Sequence, residues 1–463
     1  MTTKNRHVVF VSQMFPPETG GNASRIHDTA TNLQADGWDV TVLAPPPCYP
    51  PGSFDRSWRR AETESVDGVT VHRLWTWQPT AENPGMAKRL PYYLLFGIHA
   101  MIWLLWNVRN YDVILTSTPP ISTGAPGLVA AALGKPWVVD IRDLWIDASV
   151  SLGYLEEGSA IERISRRFQR FVLHSADRLT VTTETLGRTV GERYGDELEL
   201  KTVVIPNGVD TDRFRPPDGV SIEATGKVEA GLETEAIDAG GDRQPGGANQ
   251  ALTGDGASDG VLEPDPPSHE TERRGSASDS PPTIVYTGNL GTAQNLEACV
   301  EAMARVSEPA VLRLVGSGDV ESKLRRLVDE LGVEERVEFT GLVPRGEVPE
   351  ILRTATIGVA PLEETETLSY AMPTKVYEYM ACGLPTIVTG CGEIRRFVTE
   401  TDIGVHADGD PEALADRFDE LLSDGPRRQR LATRSREHVV EHYDRKTIAR
   451  RLSDELSALT GTK

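Results

Sequence analysis

The chain has 463 residues, with 69 Asp and Glu against 48 Lys and Arg, and its formal net charge at pH 7 is -21. This length allows two or three domains, and an acidic chain without a compensating basic face argues against nucleic acid as a partner. Only nine of the basic residues are lysine, and an acidic, lysine-poor surface suggests a halophilic protein from a salt-rich cytoplasm. The cysteines lack metal-ligand spacing, so we predict reduced thiols at Cys48, Cys299, Cys382 and Cys391.

Residues 1–215 alternate short apolar strands with helices. The chain enters its first strand without the apolar core of a signal peptide. A helix is predicted over residues 23–36, and strands are predicted over residues 8–12, 40–44, 69–74, 113–116, 137–141, 178–182 and 202–205. Short apolar strands separated by helices indicate a parallel sheet covered on both faces. We therefore assign residues 1–215 to a doubly wound, Rossmann-like α/β domain.

Two loops of this domain follow predicted strands, where ligands bind in such sheets. Gly20 and Gly21 end the first loop, and paired glycines let a backbone approach a phosphate or a sugar closely, although such a pair usually forms only a turn. Arg142 and Asp143 follow the strand at 137–141, where they could contact a ligand. The alternative is a buried Arg–Asp pair that fixes the loop.

The apolar run from Leu90 to Val108 nearly meets the length of a membrane-spanning helix. His99 and Asn107 interrupt it, and a span here would divide an alternating α/β domain, so we reject that interpretation. Two others stay open: a buried core helix, or an interfacial helix with tryptophan anchors and flanking cations.

Residues 216–282 interrupt the α/β pattern. They contain 14 acidic and 4 basic residues and almost no aromatic ones. Such a composition cannot bury enough apolar surface to offset the entropy of ordering, so we predict a disordered acidic insert in the linker between domains. A solvated spacer is favoured over a regulatory segment.

The alternating pattern restarts after the insert. Strands are predicted over residues 283–286, 310–315, 337–339, 357–361 and 386–388, and residues 429–459 read as helix. Residues 283–440 are thus a second Rossmann-like domain, and residues 441–463 are a C-terminal helix. A ligand cleft is expected between the two domains.

Loops rich in Gly and amides follow the first strands of this domain. The glycines and amides of residues 288–295 suit a phosphate or a sugar. Residues 315–318 and 341–344 follow the next two strands. Each loop is weak evidence alone, and the succession of all three carries the prediction.

The most informative stretch is 361–390, where Pro373 and Thr374 lead into a helix predicted over residues 375–382. A helix start offers free N–H groups and positive potential, which suits a phosphate. Lys375 in the first turn makes sense if an anion binds there. Glu378 lies at i+3 and can face the same ligand, where its carboxylate could accept hydrogen bonds from ribose hydroxyls. The alternative is an ordinary surface Lys–Glu pair.

This stretch resembles the donor-nucleotide motif of the family-4 retaining glycosyltransferases, which have the GT-B fold of two facing Rossmann-like domains. The string from Glu378 to Thr386 is similar to the family's Glu-Ala-Met-Ala-x-Gly-x-Pro-Val, and the family's first Glu would fall on Tyr370. The strings Pro-Thr-Lys-Val-Tyr-Glu-Tyr-Met and Arg-Asp-Leu-Trp, the latter at 142–145, resemble a fucosaminyltransferase-like subgroup that builds surface polysaccharides.

The resemblance implies a set of site residues. Arg142, Asp143, Lys375 and Glu378 would be catalytic. The donor would also contact Gly20, Gly21, Arg25, Gly288, Asn289, Gln294, Gly316, Val343, Tyr370, Pro373 and Thr374. Most relatives carry Arg and Lys where this chain has Asn289 and Gln294, which leaves Lys375 as the main cation of the second domain. The string from Asn207 to Asp210 resembles the family's exit from the first domain and is read as structural.

The activity implied is transfer of a hexose or amino sugar, with retention, from a nucleotide-diphosphate sugar to a glycan or a polyprenyl- or dolichyl-linked acceptor. No metal and no cofactor beyond the nucleotide-sugar co-substrate are expected. The expected location is cytoplasmic, with peripheral contact to the inner face of the cell membrane through residues 90–108. Two alternatives stay open: a non-catalytic nucleotide-sugar-binding subunit of a glycan-assembly complex, and a nucleotide-sugar epimerase of GT-B type.

Overall fold

The computed structural model describes residues 6–18, 20–48, 53–79, 86–151, 153–217 and 281–461, which belong to one unit of the chain. The predicted acidic insert, residues 216–282, lies outside the described residues apart from two positions at each end. The helices are α1 (Gly21–Ala35), α2 (Met86–Asn107), α3 (Gly124–Ala132), α4 (Trp145–Ser151), α5 (Ala160–Ser175), α6 (Glu184–Tyr194), α7 (Leu296–Met303), α8 (Glu321–Leu331), α9 (Val348–Arg353), α10 (Thr374–Ala381), α11 (Glu393–Thr401), α12 (Pro411–Ser423), α13 (Gly425–His442) and α14 (Arg445–Gly461). The strands are β1 (His7–Val11), β2 (Asp39–Ala44), β3 (Ala61–Val66), β4 (Val69–Leu74), β5 (Val113–Thr118), β6 (Trp137–Ile141), β7 (Arg178–Val181), β8 (Thr202–Val204), β9 (Thr283–Thr287), β10 (Val311–Val315), β11 (Val337–Gly341), β12 (Ile357–Ala360), β13 (Thr386–Val388) and β14 (Val405–His406).

These strands form two sheets. The first has the order β3-β4-β2-β1-β5-β6-β7-β8, and the second has the order β11-β10-β9-β12-β13-β14. The order of each sheet reverses beside its first parallel strand, β1 or β9, which is the arrangement that opens a crevice at the carboxyl ends. Two doubly wound α/β sheets confirm the predicted fold class.

Helices cover both faces of the first sheet, and its central strands β5 and β6 are therefore buried throughout. Phe96 and Leu104 of α2 pack with Val129 of α3 and Val172 of α5 on one face. Ile26 and Leu33 of α1 pack with Ile448 and Leu452 of α14 on the other. The apolar residues of α1 recur at three- and four-residue intervals, which gives the helix a single buried stripe.

One edge strand of the first sheet was not predicted. Strand β3 pairs antiparallel with β4, so this sheet is mixed and not wholly parallel. Its sequence, Ala-Glu-Thr-Glu-Ser-Val, has neither the apolar run nor the strict alternation that marks a strand, because most of its side chains face solvent. Charged side chains are common on such edges, since they discourage pairing with another chain.

The predicted helix at 429–459 is two helices, α13 and α14, separated at Tyr443 and Asp444. Here the chain leaves the helix to pair with Val209, which donates its N–H to the Tyr443 carbonyl at 3.0 Å and accepts from the Arg445 N–H at 3.0 Å. The Asp444 carboxylate then caps α14 by accepting from the N–H of Lys446 at 2.9 Å. Local sequence carried no sign of this pairing, because its partner lies far along the chain.

Helix α2 combines the two interpretations left open for residues 90–108. Its inner stripe, including Phe96, Ala100 and Leu104, is fully buried. Its outer face exposes a continuous apolar set: Leu90, Leu94, Leu95, Ile98, Ile102, Leu105 and Trp106. Among the described residues, this is the one helix long and apolar enough to cross a membrane, although 33% of that stretch is buried inside the protein.

Candidate active site

Three neighbouring strands of the second sheet, β11, β10 and β9, end in or are followed by glycines. These glycines bring the loops after the strands together. Gly288, Gly316 and Gly341 follow or end β9, β10 and β11, and all have positive φ, at 131°, 136° and 77°. A Cβ on Gly316 would lie 1.9 Å from the Gly288 carbonyl oxygen, so no larger residue fits there. The glycines therefore open the carboxyl edge of the sheet to a ligand at backbone distance.

Lys375 stands at the start of α10, beside this edge. Its Nζ donates to Gln294 Oε1 at 2.9 Å and lies 3.8 Å from the centroid of the Tyr286 ring. A Cβ on Gly288 would be 3.2 Å from the same Nζ. Burial lowers the pKa of Lys375 to about 7, although the negative charge of Glu378 partly opposes this change. The lysine is therefore short of negative partners in the free protein, which is the condition expected of a cation that waits for an anion.

The open start of α10 faces the same place. Pro373 is its N-cap and offers no side chain to the first-turn N–H groups, and the first turn holds no acidic residue. The rest of the helix is fixed: the Tyr379 hydroxyl accepts from the N–H of Thr287 at 2.7 Å, and Arg436 donates to the Ala381 carbonyl at 2.6 Å. The helix that carries the backbone N–H groups of Thr374 and Lys375 is therefore held in place, and these groups are available to an anion.

Glu378 lies one turn along α10, with only 16% of its side chain exposed. Burial raises its pKa, while Arg345, Lys375 and Arg213 act to lower it. Arg345 Nη2 lies 4.0 Å from Glu378 Oε1. Sequence reasoning missed Arg345 and Arg213 as cations of this site. Arg345 immediately follows the predicted loop at 341–344, and that position was the available signal.

Tyr370, which takes the place of the family's first Glu, does not face this edge. Its hydroxyl donates to Asp143 Oδ1 at 2.5 Å and accepts from the N–H of Leu144 at 3.2 Å. Its carbonyl accepts from the Thr183 hydroxyl at 3.0 Å, and its ring packs in the core of the first sheet. Burial raises the pKa of Asp143. Tyr370 therefore joins the loop before α10 to the first domain.

Arg25 and Arg142 are engaged with a buried carboxylate, Asp140. Arg25 Nη2 lies 3.1 Å from Asp140 Oδ1 and Arg142 Nε lies 3.5 Å from Asp140 Oδ2. Arg25 also donates to Asn207 Oδ1 at 2.5 Å, which supports the structural interpretation of the string 207–210. Burial lowers the pKa of Arg142 to about 10, with Asp140 opposing that change. The buried partner of Arg142 is thus Asp140, whereas Asp143 is bonded to Tyr370.

The remaining predicted residues divide between the two sheets. Gly20 and Gly21 begin α1, where a Cβ on Gly21 would meet nothing within 4 Å, and the next residue, Asn22, accepts from Arg142 Nη1 at 2.9 Å. Asn289 is exposed, and its carbonyl accepts from the Tyr286 hydroxyl at 2.6 Å. Val343 packs against the core beside α10. Within the described ranges no three His, Cys, Asp or Glu side chains converge as metal ligands, and independence of metal stays a prediction.

Two family models match the chain, "Glycosyl transferase 4-like domain" over residues 20–208 and "Glycosyl transferases group 1" over residues 268–438. The chain is a glycosyltransferase, since a glycosyltransferase model matches each of its two domains. This glycosyltransferase is 22% identical over 457 residues to the putative colanic acid biosynthesis glycosyl transferase WcaI of Escherichia coli K12, covering 96% of this chain and 97% of that one.

Solved structures share its architecture. Sucrose-phosphate synthase from Thermosynechococcus elongatus is 18% identical with a TM-score of 0.68, over 99% of this chain and 100% of that one. Anabaena Alr3699/HepE in complex with UDP-glucose is 13% identical with a TM-score of 0.62, over 98% and 99%. The two sheets of this glycosyltransferase are the two domains of the GT-B fold, as predicted.

Proposed function

We propose that this glycosyltransferase uses a nucleoside-diphosphate sugar as donor and transfers the sugar with retention of anomeric configuration. The observation that carries the proposal is the position of Lys375 Nζ, between Gln294 and the Tyr286 ring and beside Gly288 at the open start of α10. A diphosphate placed there would meet a cation, first-turn amides and glycine backbone together. HepE, a structural neighbour, binds UDP-glucose, which supports the same class of donor.

In this proposal each group has one task. The bond from the anomeric carbon to the diphosphate breaks, the bond from that carbon to the acceptor oxygen forms, and the acceptor proton passes to the leaving phosphate on the same face of the sugar. Lys375 and the α10 amides stabilise the charge that develops on the diphosphate. Glu378 accepts hydrogen bonds from the ribose hydroxyls, and the nearby Arg345 opposes the rise in the pKa of its carboxyl group that burial causes.

The acceptor proposed is a growing surface glycan or its lipid-linked precursor. The similarity to WcaI, a putative colanic acid biosynthesis enzyme, supports polysaccharide assembly. The strings at 142–145 and 373–380, which are similar to the fucosaminyltransferase-like subgroup, support it further. The acidic, lysine-poor composition supports a salt-rich, halophilic cytoplasm as the working location.

The donor is tested with UDP-, GDP- and dTDP-sugars plus a membrane lipid extract in high salt, following nucleoside diphosphate release. We expect release with one donor, dependent on the lipid extract, and a product that keeps the donor's anomeric configuration by NMR. Glu378→Ala should weaken nucleotide binding by about 10- to 100-fold, because charge-assisted hydrogen bonds to the ribose are lost. Exposed Glu334 supplies the control, Glu334→Ala. Tight nucleotide binding without turnover of any donor would contradict the proposal.

We also propose that the outer face of the α2–α5 helix layer contacts an anionic membrane. Lys88, Arg89 and Arg109 flank the exposed apolar face of α2. Helix α3 packs against both α2 and α5, and α5 exposes apolar and basic residues together, namely Ile161, Arg163, Ile164, Arg167, Arg170 and Phe171. Basic residues concentrated here on an acidic protein favour an anionic lipid surface.

The double variant Ile98→Asp with Leu105→Asp should reduce sedimentation with phosphatidylglycerol vesicles by about ten-fold or more, because charges replace apolar contacts with lipid. Leu342→Asp, at an exposed site in the second domain, is the matched control and should bind vesicles like the native protein. Equal binding by all three proteins would refute the membrane contact.

A further inference from the structure

Three tryptophans gather where β4 and its following loop meet the segment before β3. Trp58 lies 6.5 Å from Trp75 in a stacked arrangement and 6.4 Å from Trp77 at an interplanar angle of 74°. Trp58 is 67% exposed and Trp77 is 39% exposed. The rings therefore form an aromatic corner that is partly open to solvent, and none of the roles assigned above uses it.

Polar groups hold this corner rigidly. The Arg56 guanidinium lies 4.5 Å over the Trp77 ring, and its Nε donates to the Gln78 carbonyl at 2.9 Å. The Gln78 side chain accepts from the N–H of Ser57 at 2.8 Å. Two segments distant in sequence are thus tied side by side. Rings that are ordered before binding lose little entropy when a ligand stacks on them.

The corner lies at the carboxyl end of β4, and ligands of open α/β sheets bind at this edge of the sheet. Gln78 Nε2 donates to the Pro47 carbonyl at 3.1 Å, and the next residue, Cys48, donates its N–H to Glu18 Oε1 at 2.9 Å. Glu18 belongs to the loop after β1, and Asn22, in the first turn of the following helix α1, contacts Arg142. That loop therefore lies between the corner and Arg142.

Further aromatic side chains lie along the same edge of the first sheet. Tyr93 of α2 lies 6.2 Å from Trp145, which begins α4 two residues after Asp143. Tyr93 also lies 5.6 Å from Tyr92, whose carbonyl accepts from the Thr76 hydroxyl at 2.7 Å. Aromatic rings thus recur along this edge, from the loop after β6 to the loop after β4.

We propose that Trp58 and Trp77 form a distal acceptor subsite, which stacks a sugar ring of the acceptor glycan remote from the reacting hydroxyl. Polarised C–H bonds on one face of a pyranose suit the negative face of an indole, and ring hydroxyls can bond the polar rim. This inference rests on the proposed transfer to a glycan, and it adds that the acceptor has several sugar units. The membrane is the less favoured occupant, because the rings meet in a braced corner with polar neighbours and not on the outer apolar face of α2.

The test uses the purified full chain on an array of immobilised oligosaccharides, and the same proteins with phosphatidylglycerol vesicles. Native protein should be retained by a subset of glycans of more than one sugar. Trp58→Ala with Trp77→Ala should lower that binding about ten-fold or more, and Trp58→Phe with Trp77→Phe, which keeps two aromatic faces, should retain most of it. Trp106→Ala, which removes an 83% exposed indole from α2, should bind glycans like the native protein.

Several outcomes would overturn the subsite: no glycan bound by native protein, binding unchanged in the double alanine variant, or loss of vesicle binding alone in that variant, which would make the indoles membrane anchors. Circular dichroism and the thermal midpoint of each variant identify a folding defect, and the phenylalanine pair then decides. Failure of the proposed function is seen separately, as absence of diphosphate release by native protein with every donor.

Discussion

Lys375→Met should lower the rate of nucleoside diphosphate release by about 100- to 1,000-fold at saturating donor. Methionine keeps much of the side-chain volume but removes the charge that would face the departing diphosphate. Gln294 and the Tyr286 ring hold Nζ beside Gly288, and methionine leaves that position without a cation. Single-turnover kinetics with the accepted donor measure the effect.

Lys323→Met is the control, because that lysine is 64% exposed and pairs with Glu297 on the protein surface. It should release diphosphate at the native rate. If Lys375→Met lost less than about ten-fold in the chemical step, the charge at α10 would not be stabilising the leaving group.

The same lysine should make nucleotide binding depend on pH. Its pKa is about 7 in the free protein, and a bound diphosphate raises it, so binding above pH 7 must take up a proton. Affinity for the nucleoside diphosphate should therefore fall as pH rises above about 7, and it should level off above the pKa of the bound form. Calorimetry in two buffers of different ionisation enthalpy counts the proton, and Lys375→Met should lack this uptake.

Asp140→Asn should lower the free energy of unfolding by about 3–5 kcal/mol, the range found when one partner of a buried ion pair is removed. Asp140 is almost fully buried and faces two guanidiniums, Arg25 and Arg142. The amide preserves the shape of the side chain, but the Ser117 and Thr180 hydroxyls donate to different carboxylate oxygens and the amide keeps only one of them, so the loss includes one hydrogen bond as well as the charge. Urea denaturation monitored by circular dichroism gives the difference.

Asp212→Asn removes the same charge from an exposed pair with Lys446 and should change stability by less than about 1 kcal/mol. Burial alone would raise the pKa of Asp140, but Arg25, Arg142 and the two hydroxyls outweigh it, so the folded pKa lies below 3.8. Its contribution is therefore fully present above about pH 4 and is lost as pH falls through the folded value. Equal destabilisation by both asparagine variants would refute the role of the buried pair.

Elements that depend on local pattern could be predicted from sequence. Strands at 69–74, 137–141 and 386–388 were predicted at their observed bounds, because continuous apolar runs ended by turn residues are strand signals on their own. The glycines after β9 and β10 were predicted as ligand loops for a similar reason. Strand β3 and the break before α14 depend on other parts of the chain, and the local sequence pattern does not indicate either of them.

The residues of the candidate site also differ in whether local sequence could predict them. Lys375 and the start of α10 could be located from helix signals, since capping and dipole are properties of a few consecutive residues. The contacts of Arg25 and Tyr370, and that of Arg142 with Asn22, could not, because each of these side chains reaches a partner more than 100 positions away. Arg345 and Arg213 approach Glu378 only through tertiary folding, and their contribution to the site was missed.

The pairing of Val209 with Asp444 restricts how the two GT-B domains can move. The chain passes from the core of the first sheet at Ile205 to that of the second at Val209, and it returns between Tyr443 and Ile448. The two passages are bonded to each other at Val209. Two backbones fastened at one point oppose sliding and separation, and leave rotation about that point as the motion of lowest cost. Any rotation that widened the cleft about this point would have to break the bonds of Tyr370 to Asp143 and Thr183, which also join the two domains.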